Sequence, residues 1–308
     1  MNSTILGEEK NITLYTPPSF NENVYKTYPT IFVLDLNLEF AYSFQKKFEE
    51  PIYPHAVADE FILIGFGDYD FAEVERVDYL TPTTGPTLGC INGTFGNRCH
   101  GCVPVALHEN AQQFIRYLER DCGKYYIFRG DSTLDFLEKE ALPFANKMTS
   151  MRLQDDNIGV MGYSLGALLS CYAIWTRPAV YSFAACQSPP FWMPINSTHP
   201  NVTNFDFLTR ILKDPTFQVK RPEQKIYFDA GGAETNYPYR ITQATIEAAK
   251  TITQFQHYEL NRNVWIFIDP GKGHSFTQWK KRIGQALTTL LPAQGAKRIP
   301  SLNDLSVG

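Results

Sequence analysis

The sequence lacks any long apolar run. No stretch reaches the roughly 18 apolar residues that a membrane-spanning helix needs, which argues against a transmembrane protein. It also lacks an excess of charge of one sign. With 28 Lys and Arg against 32 Asp and Glu, the net charge of −4 gives no reason to expect nucleic acid or an anionic membrane as a partner. Neither an internal repeat nor a domain linker is visible, and a hydrophobic content of 44% is that of an ordinary globular protein.

The first ten residues lack the apolar segment of a secretory signal peptide. Other features favour a secretory, oxidising compartment, because the chain carries six cysteines and five Asn-x-Ser/Thr sequons. The sequons lie at Asn2, Asn11, Asn92, Asn196 and Asn201. We therefore expect a secreted glycoprotein whose leader was removed, and a cytoplasmic protein is the alternative.

Four of the cysteines fall within 33 residues, at Cys90, Cys99, Cys102 and Cys122. Residues 83–104 around them are rich in Gly, Pro, Thr and Asn, which predicts an inserted loop. The spacing Cys99-x-x-Cys102, with His100 between them, is compatible with zinc. The sequon at Asn92 in the same loop favours disulfides instead. We predict disulfides there, and no bound metal or cofactor.

Residues 157–175 carry the strongest motif. Residues 158–161 form a short apolar run suited to one buried strand, residues 162–166 read Gly-Tyr-Ser-Leu-Gly and fit G-x-S-x-G, and the apolar run after them predicts a buried helix. Strand, sharp turn and helix in that order are the context in which this motif presents a nucleophilic serine. The pattern therefore predicts Ser164 as a nucleophile above the sheet, with a turn that merely contains a serine as the alternative.

Elsewhere, apolar runs that suit strands alternate with helical patterns. This alternation predicts a mostly parallel central sheet with helices on both faces, in the α/β class. We expect one domain over residues 5–291, with the cysteine-rich loop inserted in it and a loose tail at 292–308. One helix is expected over residues 133–148, with Ser132 as its N-cap and a kink or restart at Pro143.

A serine nucleophile needs a base. His274 is the best candidate, because it follows the apolar run at 263–269 through the flexible Gly271-Lys-Gly273 segment. Catalytic groups concentrate at the carboxyl edge of open α/β sheets, where this loop should lie. A surface histidine in a glycine loop is the alternative interpretation.

The base needs an orienting carboxylate. Glu234 follows a predicted strand after two glycines, in a loop that can turn towards a histidine. Asp229, inside the same strand, is the runner-up, and Asp269 is a weaker third. Glu234 therefore completes the predicted set, in the order Ser, acid, His that is usual for this type of fold.

The oxyanion of an acyl-transfer intermediate needs two N–H donors. One should come from Leu165, the residue after the nucleophile, and the other from the loop after an earlier strand, where Leu36 is best placed.

Seven short segments, spread over residues 5–291, now resemble the putative-esterase family of α/β-hydrolases, which includes esterase D, feruloyl esterases and enterochelin-type siderophore esterases. They are Leu6-Gly-Glu-Glu with Leu14-Tyr-Thr-Pro-Pro, Tyr28-Pro with Val33-Leu-Asp, Arg76-x-Asp-Tyr-x-Thr-Pro, Leu137-Glu-Lys-Glu-Ala-Leu-Pro, Gly162-Tyr-Ser-Leu-Gly, Gly232-Ala-Glu, and Gly273-His-Ser with Trp279. The resemblance implies the α/β-hydrolase fold and Ser164, Glu234 and His274 as catalytic triad. It also implies Leu36 as oxyanion donor and a wall at residues 188–192 that faces the substrate.

Two features depart from the family. Glycine usually follows the strand aspartate, whereas Leu36 stands here, and a left-handed backbone at that position would strain a leucine. The cysteine-rich insertion is the other departure, and a cover over the site is one role it could have.

We assign four side chains to substrate binding: Arg76, Tyr163, Phe191 and Trp192. The guanidinium fork of Arg76 suits an anionic group, with a structural pairing to an acid such as Asp78 as the alternative. Phe191 and Trp192 suit an aryl or acyl pocket, with plain core packing as the alternative.

Together these features predict a serine carboxylic-ester hydrolase that acts through an acyl-enzyme on a small aryl or acyl ester and needs no cofactor. Two alternatives stay open. An acyltransferase would use the same residues if an alcohol outcompetes water. A catalytically inactive module of the same fold would use them only for binding.

Overall fold

The computed structural model describes residues 1–36, 58–67, 76, 79–80, 129–191, 223–235, 241–255 and 258–292, together with the backbone of four two-residue strands between 88 and 126. In these ranges the main element is a seven-stranded sheet. Its strands are β1 (Ile12–Tyr15), β2 (Tyr28–Leu34), β3 (Ile62–Phe66), β4 (Leu153–Tyr163), β5 (Phe183–Gln187), β6 (Lys225–Gly231) and β7 (Val264–Asp269).

The strands of the sheet lie in the order β1-β3-β2-β4-β5-β6-β7. Only the edge strand β1 is antiparallel to its neighbour, and the other pairs are parallel. The central strands are apolar and buried along most of their length, as a sheet covered on both faces requires. The short strands form two separate antiparallel pairs, Leu88–Gly89 with Tyr125–Tyr126 and Thr94–Phe95 with Arg98–Cys99.

Five α-helices accompany these strands in the described ranges. They are α1 (Gly130–Phe136), α2 (Leu142–Met148), α3 (Leu165–Thr176), α4 (Ile241–Phe255) and α5 (Phe276–Leu290). None of the helices in these ranges is long and apolar enough to cross a membrane.

A π-helical turn, Leu137–Ala141, joins α1 to α2. Pro143 follows directly, at the start of α2, where its missing N–H costs little. The predicted helix thus divides into α1, the π-helical turn and α2, although its backbone stays helical through the junction. The predicted N-cap is wrong, because α1 begins at Gly130 with Arg129 in the N-cap position, and Ser132 lies inside the helix.

The sheet separates two apolar layers. Alternate residues of β2 point to opposite faces, so Phe32 packs in one layer and Val33 in the other. Side chains of α3 and α4 fill the first layer, and those of α5 fill the second. Helices therefore cover both faces, and the predicted α/β fold with a mostly parallel sheet is confirmed.

Several predictions fall on other parts of the chain. The disulfides expected in the cysteine-rich loop and the loose tail expected after residue 292 lie outside the described residues.

Candidate active site

Ser164 occupies the sharp turn between β4 and α3. Its backbone has φ 53° and ψ −119°, a conformation that residues with a side chain rarely adopt, and its N–H donates to the carbonyl of Gln187 at 2.9 Å. Gly162 makes the turn possible, because a Cβ there would lie 2.6 Å from the carbonyl carbon of Gly166. The glycines of the motif thus allow strand and helix to approach, and the surrounding hydrogen bonds hold the serine in a strained geometry.

Two neighbouring parallel strands, β6 and β7, carry the loops that hold the acid and the histidine. Backbone hydrogen bonds join these loops, from Gly232 N–H to the Asp269 carbonyl at 2.7 Å and from Ala233 N–H to the Lys272 carbonyl at 2.9 Å. The approach requires glycine at position 231, where a Cβ would lie 2.1 Å from the Lys272 oxygen. The loops are therefore fixed relative to each other before any substrate binds.

The structure brings Ser164, His274 and Glu234 into one chain of hydrogen bonds. The distance from His274 Nε2 to Ser164 Oγ is 3.1 Å, and the distance from His274 Nδ1 to Glu234 Oε2 is 2.9 Å. The imidazole also meets the Trp279 ring edge-on, with ring centroids 4.7 Å apart. Both imidazole nitrogens are thus aligned between a hydroxyl and a carboxylate, which is the geometry that general-base activation of a serine needs.

The second oxygen of Glu234 is also engaged. Its Oε1 accepts hydrogen bonds from the Gly231 N–H at 2.7 Å and from Ser188 Oγ at 2.8 Å. Because the carboxylate is buried and fully occupied by donors, it presents Oε2 to the histidine in one fixed orientation.

The two competing acids lie nearby but have other partners. Asp229 accepts hydrogen bonds from Arg282 Nε at 2.9 Å and from Gln187 Nε2 at 3.0 Å. Complete burial raises the pKa of Asp229 to about 6, while Arg282 and Gln187 act in the opposite direction. Asp269 Oδ2 lies 4.0 Å from Arg282 Nη1. Of the three candidate acids, Glu234 is the one that contacts His274.

The two residues assigned to the oxyanion hole have different surroundings. Leu165 is the first residue of α3, so its N–H belongs to the group of helix N-terminal donors that helix geometry leaves without an intrahelical partner. The Leu36 N–H is directed at the carbonyl of Phe66, at 3.3 Å. The left-handed backbone in this loop falls on Asp35, with φ 68°, and aspartate tolerates that conformation better than leucine.

Three of the four residues assigned to the substrate have buried side chains. Arg76 is 3% exposed, and its Nε lies 2.7 and 2.8 Å from the two carboxylate oxygens of Asp35, with Nη2 as a further donor. The Tyr163 hydroxyl donates to the Asp35 carbonyl at 2.9 Å. Phe191 stacks on Trp175 within the core, with ring centroids 6.2 Å apart. Trp192 lies outside the described residues.

For Arg76 and Phe191, these contacts match the structural alternatives. The partner of Arg76 is Asp35 rather than the expected Asp78, which lies outside the described residues. The assignment of Arg76, Tyr163 and Phe191 to the substrate stays a prediction. Because their side chains are buried, it would require them to act from beneath the site surface.

Sequence reasoning overlooked the polar side chains behind the acid. The family resemblance implies that Ser188 belongs to a wall that faces the substrate, whereas its hydroxyl is buried against Glu234. Arg282 also belongs to this set, and it lies three residues after Trp279 and so on the same face of α5. A single arginine on an otherwise apolar helix face is the sequence signal that indicates a buried partner for Arg282.

The buried Arg76–Asp35 pair yields a stability prediction. Burial raises the pKa of Asp35 and Arg76 opposes that rise, so removal of the cation leaves a carboxyl group that is costly to ionise. We expect Arg76→Met to lower the free energy of unfolding by about 3 to 5 kcal/mol at pH 7 in urea denaturation. The deficit should shrink as the pH falls, because a protonated Asp35 carries no unpaired charge.

The double variant Arg76→Met/Asp35→Asn is the control. Asparagine tolerates the positive φ at position 35 and removes the charge, so part of the lost stability should return. A single Arg76→Met variant within 1 kcal/mol of the wild type would contradict the prediction.

Comparison with known families gives this geometry a context. Residues 123–290 match the model of a family described as Putative esterase. The chain belongs to this family. Membership confirms the resemblance drawn from the sequence motifs and makes the chain a carboxylic-ester hydrolase by family. No curated protein matches the chain.

Solved structures of similar fold include several esterases. The enterobactin esterase FES from Shigella flexneri is 15% identical with a TM-score of 0.58, and the match covers 94% of this chain but only 57% of that one. A ferulic acid esterase is 15% identical with a TM-score of 0.59, covering 94% and 95% of the two chains. The siderophore hydrolase EstA from Aspergillus nidulans is 15% identical with a TM-score of 0.61, covering 90% and 86%. At such low identities, these three structures show that the chain shares their fold and no more.

Proposed function

We propose that this esterase is a serine hydrolase that works through an acyl-enzyme, with Ser164 as nucleophile, His274 as general base and Glu234 as the acid that orients the base. One observation carries the proposal: the continuous chain of hydrogen bonds from the strained Ser164 hydroxyl through His274 to the buried Glu234 carboxylate.

In the first half of the reaction, Ser164 Oγ attacks the ester carbonyl while its proton moves to His274 Nε2. Glu234 Oε2 accepts a hydrogen bond from the Nδ1–H group and stabilises the imidazolium, without taking up its proton. The tetrahedral intermediate collapses, the C–O bond to the alcohol breaks, and His274 returns the proton to the leaving oxygen. In the second half, His274 takes a proton from water, the resulting nucleophile attacks the acyl group, and Ser164 leaves with the proton.

The developing oxyanion needs donors at the start of α3. We assign the Leu165 N–H to this role, supported by its place at the helix N-terminus, where the helix dipole also favours negative charge. Our assignment of the second donor to Leu36 requires its N–H to turn away from the Phe66 carbonyl when substrate binds.

For the substrate we propose a small aryl or acyl ester. The names of two structural neighbours, an enterobactin esterase and a ferulic acid esterase, guide the choice of compounds for a screen. Feruloyl, acetyl, thioester and siderophore-type esters should be compared by kcat/KM, because this ratio reports how each substrate binds in the transition state.

We also propose that the protein works in an oxidising compartment. A disulfide between Cys171 in α3 and Cys186 in β5 supports this, because such bonds persist mainly in secreted proteins. A count of free thiols in the denatured protein tests it, since thiols at these two positions would argue for the cytoplasm.

A fluorophosphonate probe tests the proposed nucleophile directly. We expect one covalent adduct, located by peptide mass analysis at Ser164, because the probe reacts only with a serine activated by a base. The heat-denatured protein is the control and should stay unlabelled. A folded protein that takes up no label would support the inactive binding module instead.

A further inference from the structure

Behind Glu234 lies a buried polar cluster that the proposed reaction does not use. It consists of Ser188, Trp279, Arg282, Asp229 and Gln187, and none of these residues touches the Ser164 hydroxyl through a recorded hydrogen bond in the described ranges. Buried polar groups are costly unless they are paired. The donors and acceptors within the cluster therefore indicate which contacts hold each group in place.

Ser188 is the link between this cluster and the acid. Its Oγ lies 2.8 Å from Glu234 Oε1, 3.0 Å from Trp279 Nε1 and 2.9 Å from Arg282 Nη2. The indole and the guanidinium can only donate, so they occupy the two lone pairs of the hydroxyl oxygen. The single hydroxyl proton is then left for Glu234, and the direction of that hydrogen bond is fixed.

The direction of this hydrogen bond determines which oxygen of Glu234 faces the His274 imidazole. With Ser188 O–H and Gly231 N–H both donating to Oε1, that oxygen cannot rotate towards His274, and Oε2 is the one presented to Nδ1. The contact between Oε2 and Nδ1 keeps the imidazole proton on Nδ1 and leaves Nε2 able to accept a proton from Ser164.

The backbone at position 188 agrees with a positioning role. Ser188 has φ 52°, a left-handed conformation that is strained for residues other than glycine, and its side chain is fully buried. Its N–H donates to the Asp229 carbonyl at 2.7 Å, and Asp229 in turn binds Arg282 at 2.9 Å. The surrounding contacts thus hold the hydroxyl at a site where glycine would fit the backbone more easily.

We infer that Ser188 is a positioning residue that acts through Glu234 and is itself oriented by Trp279 and Arg282. The inference rests on the proposed function, because it assigns Ser188 a part in orienting the base of that reaction. Ser188 does not contact the reacting atoms, and its effect passes through the acid and the imidazole.

The test compares Ser188→Ala with Ser188→Gly. Both remove the hydroxyl, but glycine also relieves the positive φ, so it protects against a simple failure to fold. We expect kcat on p-nitrophenyl acetate to fall about 10- to 100-fold in both variants, with KM little changed, because a hydrogen bond to a charged group is lost. The matched control is Ser182→Ala, which removes a serine hydroxyl at the opposite end of β5 and should keep wild-type kcat.

A second measurement separates positioning from structural damage. In the Glu234→Gln background the acid no longer orients the base, so addition of Ser188→Gly should lower kcat by less than threefold further. Multiplicative losses in the double variant would overturn the inference, as would wild-type kcat in the folded Ser188→Gly variant. If instead the wild-type protein neither hydrolyses esters nor takes up the fluorophosphonate, it is the proposed function that fails.

Discussion

Replacement of Ser164 by alanine should lower kcat for an activated ester such as p-nitrophenyl acetate by about 10⁶-fold. The Oγ atom is the one that His274 Nε2 reaches, at 3.1 Å, and its loss removes the atom that would form the covalent bond to the acyl group. Residual turnover should come only from binding and oxyanion stabilisation. Steady-state assays of the purified variant and wild type measure the residual kcat. Active-site titration excludes trace contamination by the wild type.

The fold should survive this change. Ser164 side-chain atoms make no capping hydrogen bond to α3, so alanine removes no helix contact. Ser164→Gly is a more informative companion, because glycine adopts φ 53° readily and should be at least as stable as the wild type while equally inactive. Ser170→Ala, which changes a serine six residues further along the same helix, should keep full activity. A Ser164→Ala variant with more than a hundredth of the wild-type kcat would contradict the assignment.

The turn at Ser164 was predictable because its signal is local. Small residues at positions 162 and 166 are required by the contact between strand and helix, and the apolar runs on either side have the lengths of a buried strand and a buried helix. The same holds for β6 and β7, whose apolar runs end in glycine-containing loops. Chain order then placed both loops at the same edge of the sheet.

The preference for Glu234 over Asp229 follows from its place in the loop after β6, but the local sequence does not show which partner each acid faces. Both acids lie within five residues of each other, and what separates them is their distant partners. Asp229 faces Arg282 from α5 and Gln187 from β5, whereas Glu234 faces His274. Such pairings depend on how α5 packs across the sheet, and sequence spacing alone does not encode that register.

The conformation of the loop after β2 is harder to predict from the sequence than that of the loops after β6 and β7. The departure from glycine at position 36 suggested strain on leucine, but the left-handed residue is Asp35, one position earlier. Its carboxylate is tied to Arg76, and its carbonyl accepts from Tyr163. A long-range ion pair thus holds a conformation that the local sequence does not specify, and the pairing of Arg76 with Asp35 cannot be read from the neighbours of either residue.

Replacement of Glu234 by glutamine should cost about 10⁴-fold in kcat, although the two side chains have the same shape. The reason lies in the donors around the acid. Ser188 O–H and Gly231 N–H both point at Oε1, so the amide oxygen of glutamine must sit there, and its NH₂ group must face His274 Nδ1. Nδ1 can then only accept, which puts the imidazole proton on Nε2, facing Ser164.

A histidine in that tautomer cannot take the proton of the nucleophile, so the loss should appear in kcat while KM changes little. The matched variant Asp229→Asn alters an equally buried acid on the same strand, and should leave kcat within about tenfold because its partners are Arg282 and Gln187 rather than the base. Nuclear magnetic resonance of the imidazole nitrogens would reveal the tautomer directly. If Glu234→Gln kept wild-type kcat while Asp229→Asn lost it, the roles of the two acids would have to be exchanged, and the inference for Ser188 would fall with them.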